Sequence, residues 1–350
     1  MKCGVGDYTA QLAEALGKLS NTAVAVLTRK EGGPCKPENT VEVFPVIRRW
    51  DLSEFFQIAS IVKRWRPDII HFQFPAQGYR GVLPVLLPGL LSLFRAQIVQ
   101  TWHEYFTKEN IDCGVLPLLI SPGNIIVVRP EYKSHMPPLY QWLIRCKQFR
   151  FIPNASSIPR MRLTDEERTT IRGQFIRSDK SLIVYFGFLY PHKGADLLFE
   201  IADPVKHHVV VIGDMRDTDP YHTSLKNRMQ HYPWTGNATA TGFLPAANVG
   251  KILAAADAVV LPFRGGGGMW NTSLHGAAIQ GTFVVTTSRE QHGYDAVKNI
   301  YYARPEDIED MRQALDLYLG RRNTETNISK FATWDSIASE HISFYQSLLT

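Results

Sequence analysis

Short apolar runs rich in β-branched residues alternate with helical patterns twice along this chain, and this alternation limits the possible fold more than any other feature. Runs this apolar are buried on both faces, which is typical of a parallel sheet covered by helices. The sequence therefore predicts an α/β fold made of two doubly wound halves. The predicted strands are Ala23–Thr28, Val41–Val46, Asp68–Phe74, Ala96–Trp102 and Asn124–Arg129 in the first half, and Ser181–Phe186, His208–Gly213, Ala258–Phe263 and Phe283–Thr287 in the second.

A chain of 350 residues exceeds what one hydrophobic core usually fills, so two domains are expected. The strand and helix pattern is interrupted at 151–160, where two prolines stand among small polar residues. We predict an N-terminal domain over 1–155, a C-terminal domain over 156–328, and a closing segment over 329–350 that packs back towards the N-terminal domain. Apolar residues at helical spacing are clearest in Tyr8–Leu19, Ser53–Trp65 and Thr333–Leu349.

The first glycine-containing segment, CGVGDYTAQL, has no strand before it. In a doubly wound half that strand would be central, so its absence predicts a gap in the first sheet. We hypothesise that the reading frame begins upstream or that this copy of the fold has lost its first strand. The residues from Met1 also lack the apolar stretch of a signal peptide.

The net charge of +5 is carried by the first half of the chain. Residues 1–155 contain 18 Lys+Arg and 12 Asp+Glu, whereas the remainder contains 20 and 21. This excess of basic over acidic residues is small, and the sequence has no patch in which basic and aromatic residues are interleaved. We therefore predict no nucleic-acid partner. It suits a face that rests near anionic lipid or receives a phosphorylated acceptor, and it is equally compatible with scattered surface charges.

The four cysteines, Cys3, Cys35, Cys113 and Cys146, stand far apart without a CxxC pair. This spacing argues against a structural zinc site or a disulfide framework and predicts a reducing, cytoplasmic location. The longest apolar stretch, 81–94, is too short for a membrane span and contains two prolines. It predicts either a buried helix start or an amphipathic element that seeks a membrane surface.

The segment LIVYFGFLYPHKG joins a predicted strand that ends at Gly187 to the amphipathic segment ADLLFEIA. A loop that opens a helix directs backbone N–H groups and a positive dipole end at one spot, where Lys193 adds a formal charge. We predict that this loop binds a phosphate group. The alternative is an ordinary connection with a solvated lysine.

A second glycine-rich loop follows the predicted strand that ends at Phe263. Consecutive glycines suit neither helix nor strand, so this segment is predicted to be a loop. Because it follows a buried strand, it lies at the carboxyl edge of the sheet, and we expect it to enclose a ligand rather than to be a flexible surface loop. One of three polar residues is expected to cap the next helix and leave N–H groups free for the ligand. The candidate donor-binding residues here are Gly266, Gly267, Gly268, Asn271, Thr272 and Ser273.

In the first half, Gly4 and Gly6 form a similar glycine loop, although GxG alone is weak evidence and no dinucleotide fingerprint accompanies it. His103 follows a predicted strand and can hydrogen-bond a sugar hydroxyl or serve as a structural histidine. His71 and Gln73 hold the same kind of position one strand earlier. The nearby carboxylates are Glu104 and Glu131. HExxH spacing is absent from the sequence, so we predict no metal.

Together the segments CGVGDYTAQLAEAL, PDIIHFQFP, TWHEY, IPNASSIP, GFLYPHKGADLL and SLHGAAIQGTFVVTT resemble the nucleotide-sugar glycosyltransferases of the GT-B fold, specifically the retaining family four. The resemblance covers nearly the whole chain. It implies two Rossmann-like domains facing a cleft, with a nucleoside diphosphate sugar held by the second and the acceptor by the first. It also implies that Lys193 binds the diphosphate, that His103 contacts the transferred sugar, and that the loop of Gly4 and Gly6 faces the donor phosphates.

Two departures from the family pattern concern donor binding. Phe188 stands where the family usually has an arginine, five residues before the lysine. The two glutamates of the family's E-x7-E pattern fall on Gly268 and Gly276. Either the glycine loop takes over phosphate binding, or the donor is held weakly or not at all.

The resemblance implies transfer of a hexosyl group from a nucleoside diphosphate sugar to a saccharide or lipid-linked acceptor, with retention, in surface polysaccharide or glycoconjugate synthesis. His103 and Lys193 are the catalytic candidates, no cofactor or metal is expected, and contact with an anionic membrane at its inner face stays open. The alternatives are a GT-B binding or partner subunit that has lost catalysis, and a sugar-nucleotide epimerase on the same fold.

Overall fold

The computed structural model describes residues 4–30, 40–76, 79, 81–106, 115–176 and 179–350. The chain divides into two compact units, here called unit 1 (Met1–Asn154 with Ala332–Thr350) and unit 2 (Ala155–Phe331). The predicted boundaries at 155/156 and 328/329 lie close to these two breaks. Of the cysteines, Cys146 is exposed, and the other three lie outside the described residues.

Unit 1 contains two separate parallel sheets. In the first, β1 (Val24–Arg29) pairs with β2 (Val41–Ile47). The second has the order β3–β4–β5–β6. Within the described residues no strand pairing joins the two sheets, so the predicted gap is present, and the apolar strand β1 is only half-buried along its whole length. The strands of the second sheet are Ile69–Phe74, Gln97–Trp102, Asn124–Val127 and Phe149–Phe151.

The helices of unit 1 pack around these sheets. They are α1 (Gly4–Gly17), α2 (Phe55–Trp65), α3 (Leu83–Leu91), α4 (Leu116–Ile120), α5 (Pro138–Leu143) and, after the whole of unit 2, α13 (Trp334–Leu349). The C-terminal helix α13 packs against α1, both within unit 1. Short 3₁₀ turns cover Leu52–Glu54 and Tyr132–His135.

The predicted glycine loop at Gly4 and Gly6 is wrong, because these residues form the first turn of α1. The helix is driven by its buried face, which includes Tyr8 and Leu12. In the first turn Thr9 Oγ1 donates to the carbonyl of Val5 at 2.7 Å.

The apolar stretch 81–94 forms α3, and its burial decides between the two predicted alternatives. Leu83, Leu87 and Leu91 recur at helical spacing and are buried in the core of unit 1. This stretch is therefore a core helix. Among the residues that the structure describes, no helix has the length and apolarity that crossing a membrane requires.

Unit 2 contains one seven-stranded sheet of order β12–β13–β11–β10–β7–β8–β9. All neighbours are parallel except β12 and β13. The sequence order reverses between the adjacent strands β7 and β10, which is the switch point where parallel sheets open a crevice at their carboxyl ends. The strands β7 to β13 are Ser181–Phe186, His207–Ile212, Ala238–Gly242, Ala258–Leu261, Phe283–Thr287, Gly293–Asp295 and Ile300–Ala303.

The helices of unit 2 cover its sheet, whose central strands are buried except at the two ends of β7. The amphipathic helix predicted directly after Lys193 is not a single helix. Gly194, at φ +71°, breaks the segment into 3₁₀ turns at Pro191–Lys193 and Ala195–Leu197 before a one-turn helix. The helices α6 to α12 are Asp165–Gly173, Leu198–Ile201, Pro220–Gln230, Ala246–Ala255, Thr272–Ala278, Ile308–Tyr318 and Glu325–Ile328.

Helix α10 is packed with little free space on its buried side. A Cβ built on Gly276 would lie 2.7 Å from Ser156 Oγ and 3.2 Å from Ile158 Cγ1. The preceding residue, His275, is buried against the ring of Phe331, and neither of its ring nitrogens has a hydrogen-bond partner among the described residues. Burial lowers the pKa of His275 to about 4. The helix thus tolerates neither a larger residue at 276 nor a charge at 275.

We expect Gly276→Ala to destabilise unit 2 by about 1–3 kcal/mol, because the added methyl group would overlap Ser156 and Ile158. Urea unfolding followed by circular dichroism measures this loss. Gly265→Ala is the matched control, since a Cβ there meets nothing within 4 Å. The double variant Ser156→Ala with Gly276→Ala should recover part of the loss. A Gly276→Ala protein as stable as the parent would contradict this packing.

We expect His275→Leu to stabilise the protein by about 1–2 kcal/mol at pH 7.5, because it removes buried polar atoms that lack partners. The pKa of His275 is lower in the folded than in the unfolded chain. The free energy of unfolding of the parent is therefore highest above about pH 6.5, where the imidazole is neutral in both states, and it decreases as the pH falls towards 4. The advantage of the variant should therefore grow by about 1–2 kcal/mol between pH 7.5 and pH 5. Urea unfolding at both pH values tests this, with exposed His231→Leu as the control. An advantage independent of pH would disprove the buried neutral state.

Candidate functional site

In unit 2, parallel pairing of β7 and β10 brings the segments that follow them to the same edge of the sheet. Gly187, directly after β7, has φ +148° and lies against α10. A Cβ at this position would stand 2.9 Å from Ser273 Oγ. Glycine is required here both by its backbone conformation and by this close approach. The predicted residues Gly187 and Ser273 are thus neighbours.

Lys193 reaches the same edge from the 3₁₀ turn that follows β7. Its Nζ donates to Asn271 Oδ1 at 3.2 Å and stands 4.7 Å from the centre of the Phe263 ring. The side chain is half-buried, which strengthens its interaction with any anion held there. The structure therefore unites Lys193 with Asn271, both of them predicted site residues.

The glycine-rich loop after β10 is held by backbone hydrogen bonds, one of which reaches strand β11. Gly266 takes φ +80°, and the amide of Gly267 donates to the carbonyl of Thr287 at 2.7 Å. Asn271 occupies the N-cap position of α10 but makes no capping hydrogen bond with its side chain, so of the three polar residues predicted to cap this helix, the one at the N-cap does not do so. Its side chain instead accepts from Lys193 and donates to the carbonyl of Gly268 at 3.4 Å. The predicted residues Thr272 and Ser273 form the first turn of α10.

Arg264 connects the two loops and was not predicted from the sequence. Its guanidinium group lies 2.5 Å from carboxylate oxygens of both Asp196 and Glu306, and it donates to the carbonyl of Pro191 at 3.2 Å. Its backbone amide donates to the carbonyl of His192 at 3.0 Å. No motif marks this arginine; its one signal is a charged residue directly before a run of glycines. It fixes the Lys193 turn beside the glycine-rich loop.

The positions that depart from the family pattern are filled by other groups. Phe188 is 40% exposed and stacks on Tyr190, with ring centres 5.9 Å apart. A Cβ on Gly268 would fall 2.1 Å from the Trp270 ring, and the space at Gly276 is filled by the segment before α6. Glutamates at these two places would require their neighbours to move.

In unit 1, the ends of β3 and β4 bring together three predicted residues. His103 follows β4, and its backbone amide donates to the carbonyl of Phe74 at 2.9 Å. Its Nε2 lies 2.9 Å from Gln73 Oε1, and Gln73 Nε2 lies 3.3 Å from His71 Nε2. Burial, together with the positive charge of Arg129 and with His341, lowers the pKa of His103 to about 3. This histidine is therefore neutral near pH 7.

The two predicted carboxylates do not contact this histidine ring. Glu104 is exposed and forms an ion pair with Arg129, whose Nε donates to the carbonyl of His103 at 3.0 Å. Glu131 is exposed at φ +50° and lines an open pocket of about 360 Å³ together with Lys133 and Phe149. Glu104 is thus linked to His103 through Arg129 and through the backbone that joins the two residues.

Gly4 and Gly6 are exposed on the first turn of α1. Their helix reaches His103 through Tyr8, whose ring stands edge-on with its centre 4.7 Å from the centre of the imidazole. Within the described ranges no group of three His, Cys, Asp or Glu side chains has an arrangement that would hold a metal ion. Donor contact by these two glycines and a reaction without metal stay predictions.

Two family models match this chain, and together they span most of it. The model described as "Glycosyltransferase Family 4" matches residues 3–151, and that described as "Glycosyl transferases group 1" matches residues 180–320. The first match covers most of unit 1 and the second most of unit 2. A search of curated proteins found no match.

Solved structures with the same fold cover nearly the whole chain at low sequence identity. Sucrose-phosphate synthase from Thermosynechococcus elongatus has 16% identity and a TM-score of 0.77, over 98% of this chain and 92% of that one. A glycosyltransferase from Rickettsia africae has 14% identity and a TM-score of 0.76, over 99% and 95%. Anabaena Alr3699/HepE in complex with UDP-glucose has 14% identity and a TM-score of 0.65, over 100% and 95%. At these identities the likeness establishes the fold, which is GT-B, and with the two family models it follows that this chain belongs to the group 1 glycosyltransferases.

Proposed function

We propose that this protein transfers a hexosyl group from a nucleoside diphosphate sugar to a saccharide or lipid-linked acceptor, with retention of the anomeric configuration. The observation that carries the proposal is the half-buried ammonium group of Lys193, fixed beside Asn271 and the glycine-rich loop at the switch point of the unit 2 sheet. The Anabaena neighbour was crystallised with UDP-glucose, which supports a donor of this class. Surface polysaccharide or glycoconjugate synthesis is the setting that such an activity serves.

The proposed chemistry depends on stabilising the leaving diphosphate. As the bond to the anomeric carbon breaks, negative charge grows on the departing phosphate, and fixed donors directed at it lower the barrier. The ammonium group of Lys193 supplies a full charge to this phosphate, whereas the N–H groups of Gly266 and Gly267 already donate to the carbonyl groups of Phe263 and Thr287. The proposal therefore depends on Lys193 and needs no metal and no cofactor. Retention on this route does not call for the pair of carboxylates that glycosidases use.

The acceptor side of the proposal lies in unit 1. His103 is a neutral hydrogen-bonding group at the end of β4, and Gln73 and His71 stand behind it. A neutral imidazole suits contact with a sugar hydroxyl better than contact with a phosphate. Glu104 and Glu131 are exposed at the same end of the sheet, where they are available to acceptor hydroxyl groups.

Lys193→Ala should reduce kcat by about 10² or more, because it removes the one formal charge proposed to act on the leaving phosphate. Turnover with UDP and GDP sugars and a saccharide acceptor measures this. The matched control is Lys206→Ala, which removes an exposed lysine of the same unit, 3.9 Å from Asp316. Equal activity of the Lys193 variant and the parent would reject the assignment.

A binding or partner subunit without catalysis is the second candidate, favoured by glycine at both glutamate positions, 268 and 276. Calorimetry with UDP, GDP and their sugars separates the two. Donor binding that is lost in Lys193→Ala, together with transfer, supports the enzyme. Absence of donor binding contradicts the donor site and supports the subunit without catalysis. Donor binding without transfer or hydrolysis supports a subunit that has kept the site but lost catalysis.

We also propose that unit 1 rests on an anionic membrane, at the cytoplasmic face, through the adjacent helices α4 and α5. These helices leave large apolar side chains exposed, among them Ile120, Leu139 and Trp142. The guanidinium of Arg145 stands 4.6 Å from the ring centre of Trp142, so cationic and aromatic groups share this surface. Apolar insertion combined with attraction to anionic headgroups is how peripheral proteins bind bilayers.

Cosedimentation with vesicles of phosphatidylglycerol and phosphatidylcholine tests this surface. The double variant Leu139→Ala with Trp142→Ala should bind at least about fivefold less protein, because two inserting side chains are removed. Raising the salt concentration should weaken binding of the parent by screening Arg145. Leu317→Ala, which removes an equally exposed leucine from unit 2, is the control. Equal binding by neutral and anionic vesicles would contradict the charge contribution.

A further inference from the structure

A continuous chain of hydrogen bonds runs through unit 1 from His103 to the C-terminal helix α13. His103 Nε2 lies 2.9 Å from Gln73 Oε1, and Gln73 Nε2 lies 3.3 Å from His71 Nε2. Thr101 on β4 places its hydroxyl oxygen 2.7 Å from the same His71 nitrogen. The other ring nitrogen of His71, Nδ1, lies 2.6 Å from the hydroxyl oxygen of Tyr345 on α13.

The orientation of the Gln73 amide fixes where each proton resides. Its oxygen can only accept, so His103 Nε2 carries a proton and donates it. Its nitrogen can only donate, so His71 Nε2 accepts, and the Thr101 hydroxyl donates to the same lone pair. His71 Nδ1 therefore carries the proton of that ring and donates to Tyr345. The two histidines are held in opposite tautomers.

Helix α13 is itself fixed beside this chain. His341 Nδ1 lies 2.8 Å from the carbonyl oxygen of Ile337 and must donate to it. His341 Nε2 is then an acceptor for the hydroxyl of Tyr8 on α1, at 3.4 Å. Tyr345, one turn further along, is buried, and its ring stands edge-on to both His341 and His71. The helix therefore presents the Tyr345 hydroxyl from a fixed position.

The charges around His103 favour its neutral form. Arg129 donates to its backbone carbonyl and is itself paired with Glu104. Within the described ranges, its other ionisable neighbours include the phenol of Tyr8, edge-on to the ring, and the neutral imidazoles of His71 and His341. A proton on His103 would thus be added beside a guanidinium group in a largely buried place. The ring acts near pH 7 as a fixed hydrogen-bonding group and not as an acid.

We propose that Gln73, His71 and Tyr345 are positioning residues that hold His103 in its Nε2–H tautomer, so that Nδ1 offers a lone pair to a hydroxyl group of the sugar. Among the described residues Nδ1 has no hydrogen-bond partner, and His103 as a residue is only partly buried. The role toward sugar rests on the proposed function, whereas the tautomer does not. The C-terminal helix, remote in sequence, thereby sets which hydrogen-bonding face His103 presents.

Long-range ¹H–¹⁵N correlation spectra of the full-length protein with labelled histidine test the tautomers directly. At pH 7 we expect His103 with Nε2 protonated and Nδ1 bare, and His71 with the reverse pattern. The resonances are assigned from their loss in His103→Gln and His71→Gln. A protonated Nδ1 on His103, or an imidazolium at pH 7, would overturn the inference regardless of activity.

Two variants test whether the chain acts on His103. Gln73→Glu keeps an acceptor for Nε2 but places a carboxylate beside it, so the titration midpoint of His103 should rise by about 1–3 pH units. Tyr345→Phe keeps the ring but removes the acceptor for His71, so the His71 signals should shift and kcat should fall about tenfold. Tyr294→Phe, which removes a hydroxyl bonded to Asn299 at 2.7 Å in unit 2, should change neither.

Each outcome either supports or contradicts one part of the inference. Unchanged His71 signals and unchanged kcat in Tyr345→Phe would disprove coupling to α13. Expected tautomers combined with full transfer activity in His103→Gln would leave the hydrogen-bonded chain intact and refute the role of His103 in the proposed function. Circular dichroism on every variant separates these outcomes from misfolding.

Discussion

The parallel pairing of β7 with β10 is the constraint on which the candidate donor site depends. These strands are far apart in sequence, yet their pairing makes the two following loops leave the sheet at one edge. Arg264 then joins the loops by binding both Asp196 and Glu306. The Arg264 side chain is only about a third exposed and makes several charged contacts. It therefore fixes the two loops relative to each other more strongly than a single surface ion pair would. Lys193 is thus held by the sheet and this cross-link together.

Much of this arrangement could be predicted from the sequence, because burial on both faces leaves a strong apolar signal. Strands β7 and β11 match their predicted ranges, since strands that are buried on both faces carry a run of apolar residues. Four strands were not predicted. Strands β6 and β12 have only three residues each, β9, with sequence ATATG, is small-sided and half-buried, and β13 is a run of only four residues. The first turn of α1 was misread because glycine favours loops, whereas here packing of the helix face prevails over propensity.

The sequence was enough to predict which residues belong to the candidate donor site, but not which of them contact one another. Lys193 and Asn271 were recognised separately, yet their hydrogen bond, and the consequent loss of the predicted helix cap, depend on tertiary geometry. The glutamate positions illustrate the same limit. Glycine at 268 and 276 suggested simple loss of two side chains, whereas Trp270 and Ser156 occupy the space that would otherwise be available. The departure from the family pattern is therefore a repacked region, and restoring the glutamates alone would not restore their setting.

The two units present opposite chemistry, and their surroundings explain why. In unit 2 the candidate site uses the full charge of Lys193, which lies beside Asn271 and the glycine-rich loop. In unit 1 the corresponding edge carries uncharged histidines, because burial lowers the pKa of both His71 and His103. Among the described residues, no carboxylate contacts either ring to stabilise a positive charge there. The positively charged donor in unit 2 favours a phosphate group over an uncharged ligand. The neutral histidines in unit 1 can hydrogen-bond hydroxyl groups without attracting a phosphate group to the acceptor side. Such a division is what a transferase requires, since the leaving group and the sugar make different demands on the protein.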